Sequence, residues 1–240
     1  MITIQRVTGM AYFTPVAFLY NGSNTFNNSE KQTMNSDSIS NTYQPEIYKL
    51  LSDCFLLPDA TLEDSIVSLE YLVEKIYPQF TSEARQMLEA FKQIDDIEEL
   101  QVEFTRLFIG PYAMLAPPYE SVYRSEEGTL MGRSTLNILE LYKKSGFDLV
   151  GDYHDAPDHI ATELEFLYVL SIKVAVSRMY DEPDRKEPYD ELLKSLLIDH
   201  LNHWVPALTS HMKQKTESDF YKALATLTRN VIFESVSQLA

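Results

Sequence analysis

Histidines and carboxylates are the residues whose spacing could do chemistry. His159 and Glu163 stand four apart, His200 and His203 three apart, and His211 follows. On helices each pair would share a face. Two helical ligands hold a metal only when others converge on them. No second E-x-x-H pair, H-E-x-x-H or cysteine cluster supplies those, and a solvated or capping histidine is the commoner outcome of such a pattern. One alternative stays open: a metal-dependent all-α hydrolase using His159, Glu163 and a C-terminal histidine. Ser121 lies in E-S-V rather than a G-x-S-x-G elbow, with no local base. Neither G-x-x-x-x-G-K-[ST] nor G-x-G-x-x-G occurs, which argues against the common nucleotide enzymes and points to no cofactor.

A different chemistry, that of a binding surface, is written from Glu103 to Arg124, E-F-T-R-L-F-I-G-P-Y-A-M-L-A-P-P-Y-E-S-V-Y-R. Phe104, Leu107 and Phe108 fall at helical spacing. Gly110-Pro111 stops that helix, because glycine accepts a left-handed cap and proline cannot continue the ladder. Pro117-Pro118 hold the following run extended. This predicts a long non-helical loop through Tyr112, Met114, Leu115, Tyr119, Val122 and Tyr123. It is too aromatic for disorder, and it is either tucked under the core or a binding surface. Asp158 and His159 stand at the mouth of the next long helix, where Asp158 can act as its cap. Asp158 and Glu163 are the carboxylates best placed to meet a guanidinium there.

The elements that position these residues are helices. Stripes at helical spacing run Ile47–Phe55, Leu62–Ile76, Ala84–Phe91 and Ile97–Leu107. Thr61 with Asp64 and Thr81 or Ser82 are candidate caps, and Asp95 and Asp96 open the fourth stripe. Further helices are predicted at Arg133–Ser145 (stopped by Gly146), Asp158–Tyr180, Glu187–Trp204, a short one after Pro206, and Asp219–Leu239. The Asp158–Tyr180 helix is apolar nearly all round, so it should be the buried central one. Trp204 reads as a packing anchor at a helix elbow. No useful strand alternation follows residue 45. The expected fold is an all-α bundle of about nine helices over residues 45–240, with a hinge at 181–188 that suits a monomer or a domain-swapped dimer.

The chain has 240 residues and a formal net charge of −16. Such a surface repels nucleic acid and anionic membrane and steers basic partners inward. Cys54 is the single cysteine, so no disulfide framework exists and a reducing cytoplasm fits. No apolar run reaches membrane-spanning length. Met10–Tyr20 is apolar, but Pro15 interrupts it and the reading of a signal peptide is rejected. Residues 21–42 are rich in Asn, Ser and Thr, and residues 1–44 are expected to be a poorly ordered extension.

Three motifs in order resemble the TorD/DmsD family of cytoplasmic chaperones that mature molybdenum redox enzymes. They are E-F-T-R-L-F-I-G-P followed by A-P-P-Y-E-S-V-Y, then P-D-H-I-A-T-E-L-E-F-L from Pro157 to Leu167, then L-I-D-H-L-N-H-W-V-P-A-L from Leu197 to Leu208. The resemblance implies an all-helical, non-enzymatic protein. Such a protein binds the twin-arginine signal peptide of a molybdopterin oxidoreductase, holds it through cofactor insertion, and releases it for export in anaerobic respiration. By motif, the implied peptide-binding positions are Phe104, Leu107, Phe108 and Tyr112, then Pro118, Tyr119 and Ser121, then Asp158 and His159. Tyr112 and Tyr119 stand where relatives often carry tryptophan, and Glu120 where some carry glycine, departures that bear on the choice of partner. Another class, a structural subunit that stays in its partner complex, would show a large flat apolar patch.

Overall fold

The computed structural model describes residues 2–3, 36–110, 112–126, 128–149, 156–179 and 189–239. The architecture is all-α, with nine continuous helical rods among the described residues. Helix α1 spans Ser36–Cys54 and so begins ahead of Pro45, which lies inside it. The proline removes one ladder donor, and burial of Ile47, Leu51 and Cys54 holds the helix beyond it. Helix α2 spans Leu62–Ile76 and buries Leu62, Ile66, Leu69 and Val73. Thr61 does not cap it; its N–H and hydroxyl both donate to Asp59 Oδ1, at 2.8 and 2.6 Å. A 3-10 turn, Pro78–Phe80, leads into α3, Thr81–Lys92, without a side-chain cap from Thr81 or Ser82.

Helix α4, Ile97–Phe104, does start as its acidic residues predict: Asp96 accepts from the Glu98 N–H at 3.0 Å. It widens into a π turn over Thr105–Ile109. Gly110 then ends it with φ of 63°. A Cβ at that position would lie 2.1 Å from the Ala113 carbonyl oxygen, so the tight exit requires glycine. The expected loop is shorter than its pattern suggests, because Glu120–Arg124 folds as a short helix, α5, that takes up Val122 and Tyr123. Helix α6 spans Arg133–Ser145 and stops at left-handed Gly146 as predicted. Two short strands, Ile2–Thr3 (β1) and Phe147–Asp148 (β2), pair in parallel.

Helix α7, Ile160–Met179, is the scaffold of the site. Ile160, Leu164, Phe166, Leu167 and Leu170 are fully buried. Large side chains are worth about 2 kcal/mol each on burial, so this end of the helix is held hard. Toward its far end Val176 is exposed, and the apolar wrap there is incomplete. Helix α8 (Tyr189–Ser195), a second π turn (Leu196–Leu201) and α9 (Asn202–Lys215) follow one another without a break. The interruption expected at Trp204–Pro206 is absent: Pro206 sits inside α9, just after the widened turn. Helix α10 spans Asp219–Ser237. Helix α7 packs along α1 and against α8, while α10 packs on α3 and α9. The predicted hinge at 181–188 lies outside the described residues.

Candidate functional site

The two prolines build the site's rim. Holding residues 117–119 extended lets this stretch pair with the chain entering α7. The Ile160 N–H donates to the Pro118 carbonyl at 2.9 Å, and the Glu120 N–H donates to the Asp158 carbonyl at 3.0 Å. Between them Tyr119 and His159 form an antiparallel bridge. Their rings meet edge to face with centroids 5.2 Å apart, so the two motifs come together in one corner. On the other side of the loop, the Ala116 N–H donates to the Leu107 carbonyl at 2.9 Å.

Asp158 does not cap α7. Its Oδ2 accepts from the Ser121 N–H at 2.7 Å, and the side chain is fully buried. The capping role falls to His159, whose Nδ1 accepts from the Ala161 N–H at 3.1 Å. Asp158 therefore fastens α5 to α7, and the histidine steadies the helix start. Pro118 and Ser121 are buried at this junction, and Tyr119 is half-buried at its lip.

Beneath the corner lies a cluster of polar groups closed to solvent. Glu120, Asp158 and Glu163 are each 0% exposed. Glu120 Oε2 is 2.8 Å from His200 Nδ1, and its Oε1 accepts from Arg124 Nη1 at 2.7 Å. Arg124 Nη1 also donates to the Asp199 carbonyl. Glu163 Oε2 accepts from the Trp204 indole N–H at 3.1 Å. Tyr123 stacks on Trp204, centroids 5.8 Å apart. Burial, then the nearby Glu120 charge, pushes the Glu163 carboxyl well above its ordinary value. Asp158 adds to the push, and the Trp204 hydrogen bond and Arg124 oppose it.

The remaining predicted residues divide. Phe104, Leu107 and Phe108 are core side chains. Phe108 packs on Phe104, Tyr221 and Phe55 with centroids 5.0, 5.7 and 6.2 Å apart. They form a floor, not a surface. Tyr112 is at the opposite extreme, fully exposed. The metal reading of His159 and Glu163 finds no support in this arrangement. One nitrogen of the histidine and one oxygen of the glutamate are taken by internal bonds. Among the described residues, no group of three His, Cys, Asp or Glu side chains is placed to hold an ion. Sequence reasoning passed over Arg124, weighed His200 only as a metal ligand and Glu120 only as a departure from relatives, and did not join the three. The four-residue spacing of Glu120 and Arg124 was a usable signal, had a helix been expected there.

Comparison with known proteins adds an independent line. A family model described as nitrate reductase delta subunit matches residues 74–210, a span that contains the whole corner and the cluster beneath it. Chaperone protein TorD of Photobacterium profundum is 28% identical over 155 residues, covering 61% of this chain and 70% of that protein. Tat proofreading chaperone DmsD of Salmonella typhi is 29% identical over 142 residues, covering 59% of this chain. That match spans 63% of the DmsD relative, under two thirds of its length. A crystal structure from Archaeoglobus fulgidus, assigned to redox enzyme maturation, is 28% identical with a TM-score of 0.49, covering 79% of this chain and 93% of that one.

Proposed function

We propose that this chain, which belongs to the nitrate reductase delta subunit family, is a cytoplasmic chaperone for a molybdopterin oxidoreductase. In this reading it binds the partner's twin-arginine signal peptide and holds it while the cofactor is loaded and the enzyme folds, before export. Relatives named as TorD and as Tat proofreading DmsD chaperones support the class. The single observation that carries the site is the Tyr119–His159 corner, with three buried carboxylates behind it. A leader of this kind joins a basic pair to an apolar run. The acidic chain draws in the first, and rings at the lip hold the second.

Within that proposal the residues take distinct parts. Tyr112 and Tyr119 offer rings to the peptide, and Pro118 and Ser121 set the shape of the lip. Asp158 and His159 fix the corner from the α7 side, while Phe104, Leu107 and Phe108 form the packed floor behind the loop. Residues 1–44 serve as an extension in this reading, one whose last stretch from Ser36 runs on into α1, and the working unit is a monomer or a swapped dimer. The test is calorimetry with a leader peptide from a co-purifying reductase, captured from anaerobically grown cells. Tyr119→Ala should weaken binding about tenfold, the scale of an aromatic anchor, with far-ultraviolet helicity unchanged. Unchanged affinity removes the corner from the site.

A further inference from the structure

Three carboxylates converge under α5, and one guanidinium reaches them from outside. Arg124 belongs to that short helix, and its side chain is 35% exposed. Both of its hydrogen bonds leave through one nitrogen, Nη1, to Glu120 Oε1 and to the Asp199 carbonyl. The contact with Glu120 is therefore single-pronged. The Glu103–Arg106 pair in the same molecule shows the alternative: Nε and Nη2 bind Oε2 and Oε1, both at 2.7 Å, as a two-pronged fork. A forked pair is the stronger and more specific arrangement. Arg124 is the solvent-facing partner of a carboxylate that is itself 0% exposed, so a second guanidinium reaching Glu120 would take its place rather than leave the buried charge unpaired.

The cluster has further capacity. Asp158 Oδ1, Glu163 Oε1 and the Ser121 hydroxyl are buried without a hydrogen-bond partner among the described residues. Glu163 is held toward its neutral form by burial beside Glu120 and Asp158, so the cluster is short of positive charge. The groups facing it come from every packed element. Glu120 and Arg124 come from α5, Asp158 and His159 from the entry to α7, Glu163 from α7, His200 from the second π turn, and Trp204 from α9.

We propose that Arg124 is an internal stand-in for an incoming arginine: it occupies Glu120 in the free protein, and a peptide guanidinium displaces it to reach Glu120 and Asp158. The inference rests on the leader-binding reading and adds a side chain of this chain's own that competes with the leader's guanidinium for Glu120. Most site residues lose binding when truncated, whereas a competitor gains it.

The test uses the full chain and two labelled synthetic peptides in fluorescence anisotropy. One carries adjacent arginines before an apolar run; the other has glutamines in their place. Arg124→Gln should bind the arginine peptide about tenfold tighter than the unaltered protein and the glutamine peptide no differently. Arg124→Lys keeps the charge on a compact ammonium that cannot span Glu120 and the Asp199 carbonyl with a planar guanidinium, and should fall between, which preserves the test if the glutamine variant fails to fold. Equal or weaker binding of the arginine peptide by folded Arg124 variants overturns the stand-in and leaves the chaperone reading intact. If the unaltered protein binds both peptides equally, the guanidinium site is lost but apolar leader binding survives. If no form binds either peptide, both readings fall.

Discussion

Replacing Glu163 by Gln tests how the closed cluster tolerates its third carboxylate. In the folded chain the carboxyl is pushed well above the ordinary value by burial and by Glu120 and Asp158, so it keeps its proton where the unfolded chain has lost one. Between the unfolded value, about 4.3, and the raised folded value, the native state binds more protons than the unfolded state. Its stability therefore falls as pH rises through that window, by up to about 1.4 kcal/mol per pH unit. Glutamine keeps an oxygen for the Trp204 indole N–H and does not titrate. For a chain of this size, 1 kcal/mol moves Tm by about 3 °C. The variant should thus gain roughly 4 °C on the unaltered protein for each pH unit above 5, until the folded value is passed. Thermal unfolding followed by circular dichroism at half-unit steps from pH 5 to 8 reads this directly. Parallel Tm curves for the two proteins would refute the reasoning, because Glu163 would then titrate alike in both states.

Two other substitutions probe the frame. His200→Ala takes away the partner of Glu120 Oε2 inside a site closed to water. It should cost about 3 kcal/mol in urea unfolding, and a Glu120→Gln change in the same background should recover part of that loss. Gly110→Ala places a methyl 2.1 Å from the Ala113 carbonyl at a positive φ, and should lower stability by about 2 kcal/mol or more. A Tm matching the unaltered protein would mean that the exit from α4 is looser than drawn.

How much of this was legible in the sequence depended on range. Asp96 and Gly146 act within one helical turn, and their roles were read correctly from neighbours. The apolar run of α7 and the packing role of Trp204 were also plain, since burial is written in residue type. Pro206 misled because tertiary packing carries the helix across it. Asp158 looked like a cap because local rules favour that, yet its bond goes to Ser121, 37 positions back in the chain. The pairing of Glu120 with His200 crosses 80 positions. No periodicity marks such a partnership, so beyond the Glu120–Arg124 spacing on α5 the cluster is invisible until the chain is folded.

The widened turns at Thr105–Ile109 and Leu196–Leu201 carry a consequence for how this region tolerates length changes. A π turn takes in one residue more than an α turn, and each residue added to a helix rotates the remainder by about 100°. The aim of the Trp204 indole at Glu163 is therefore set by the number of residues upstream as much as by their kinds. A one-residue deletion between 196 and 201 would leave a smoother helix with nearly all its hydrophobic content and still swing the indole away from its acceptor. In this stretch the length of the chain is itself part of the geometry, and substitutions should be tolerated more readily than insertions or deletions.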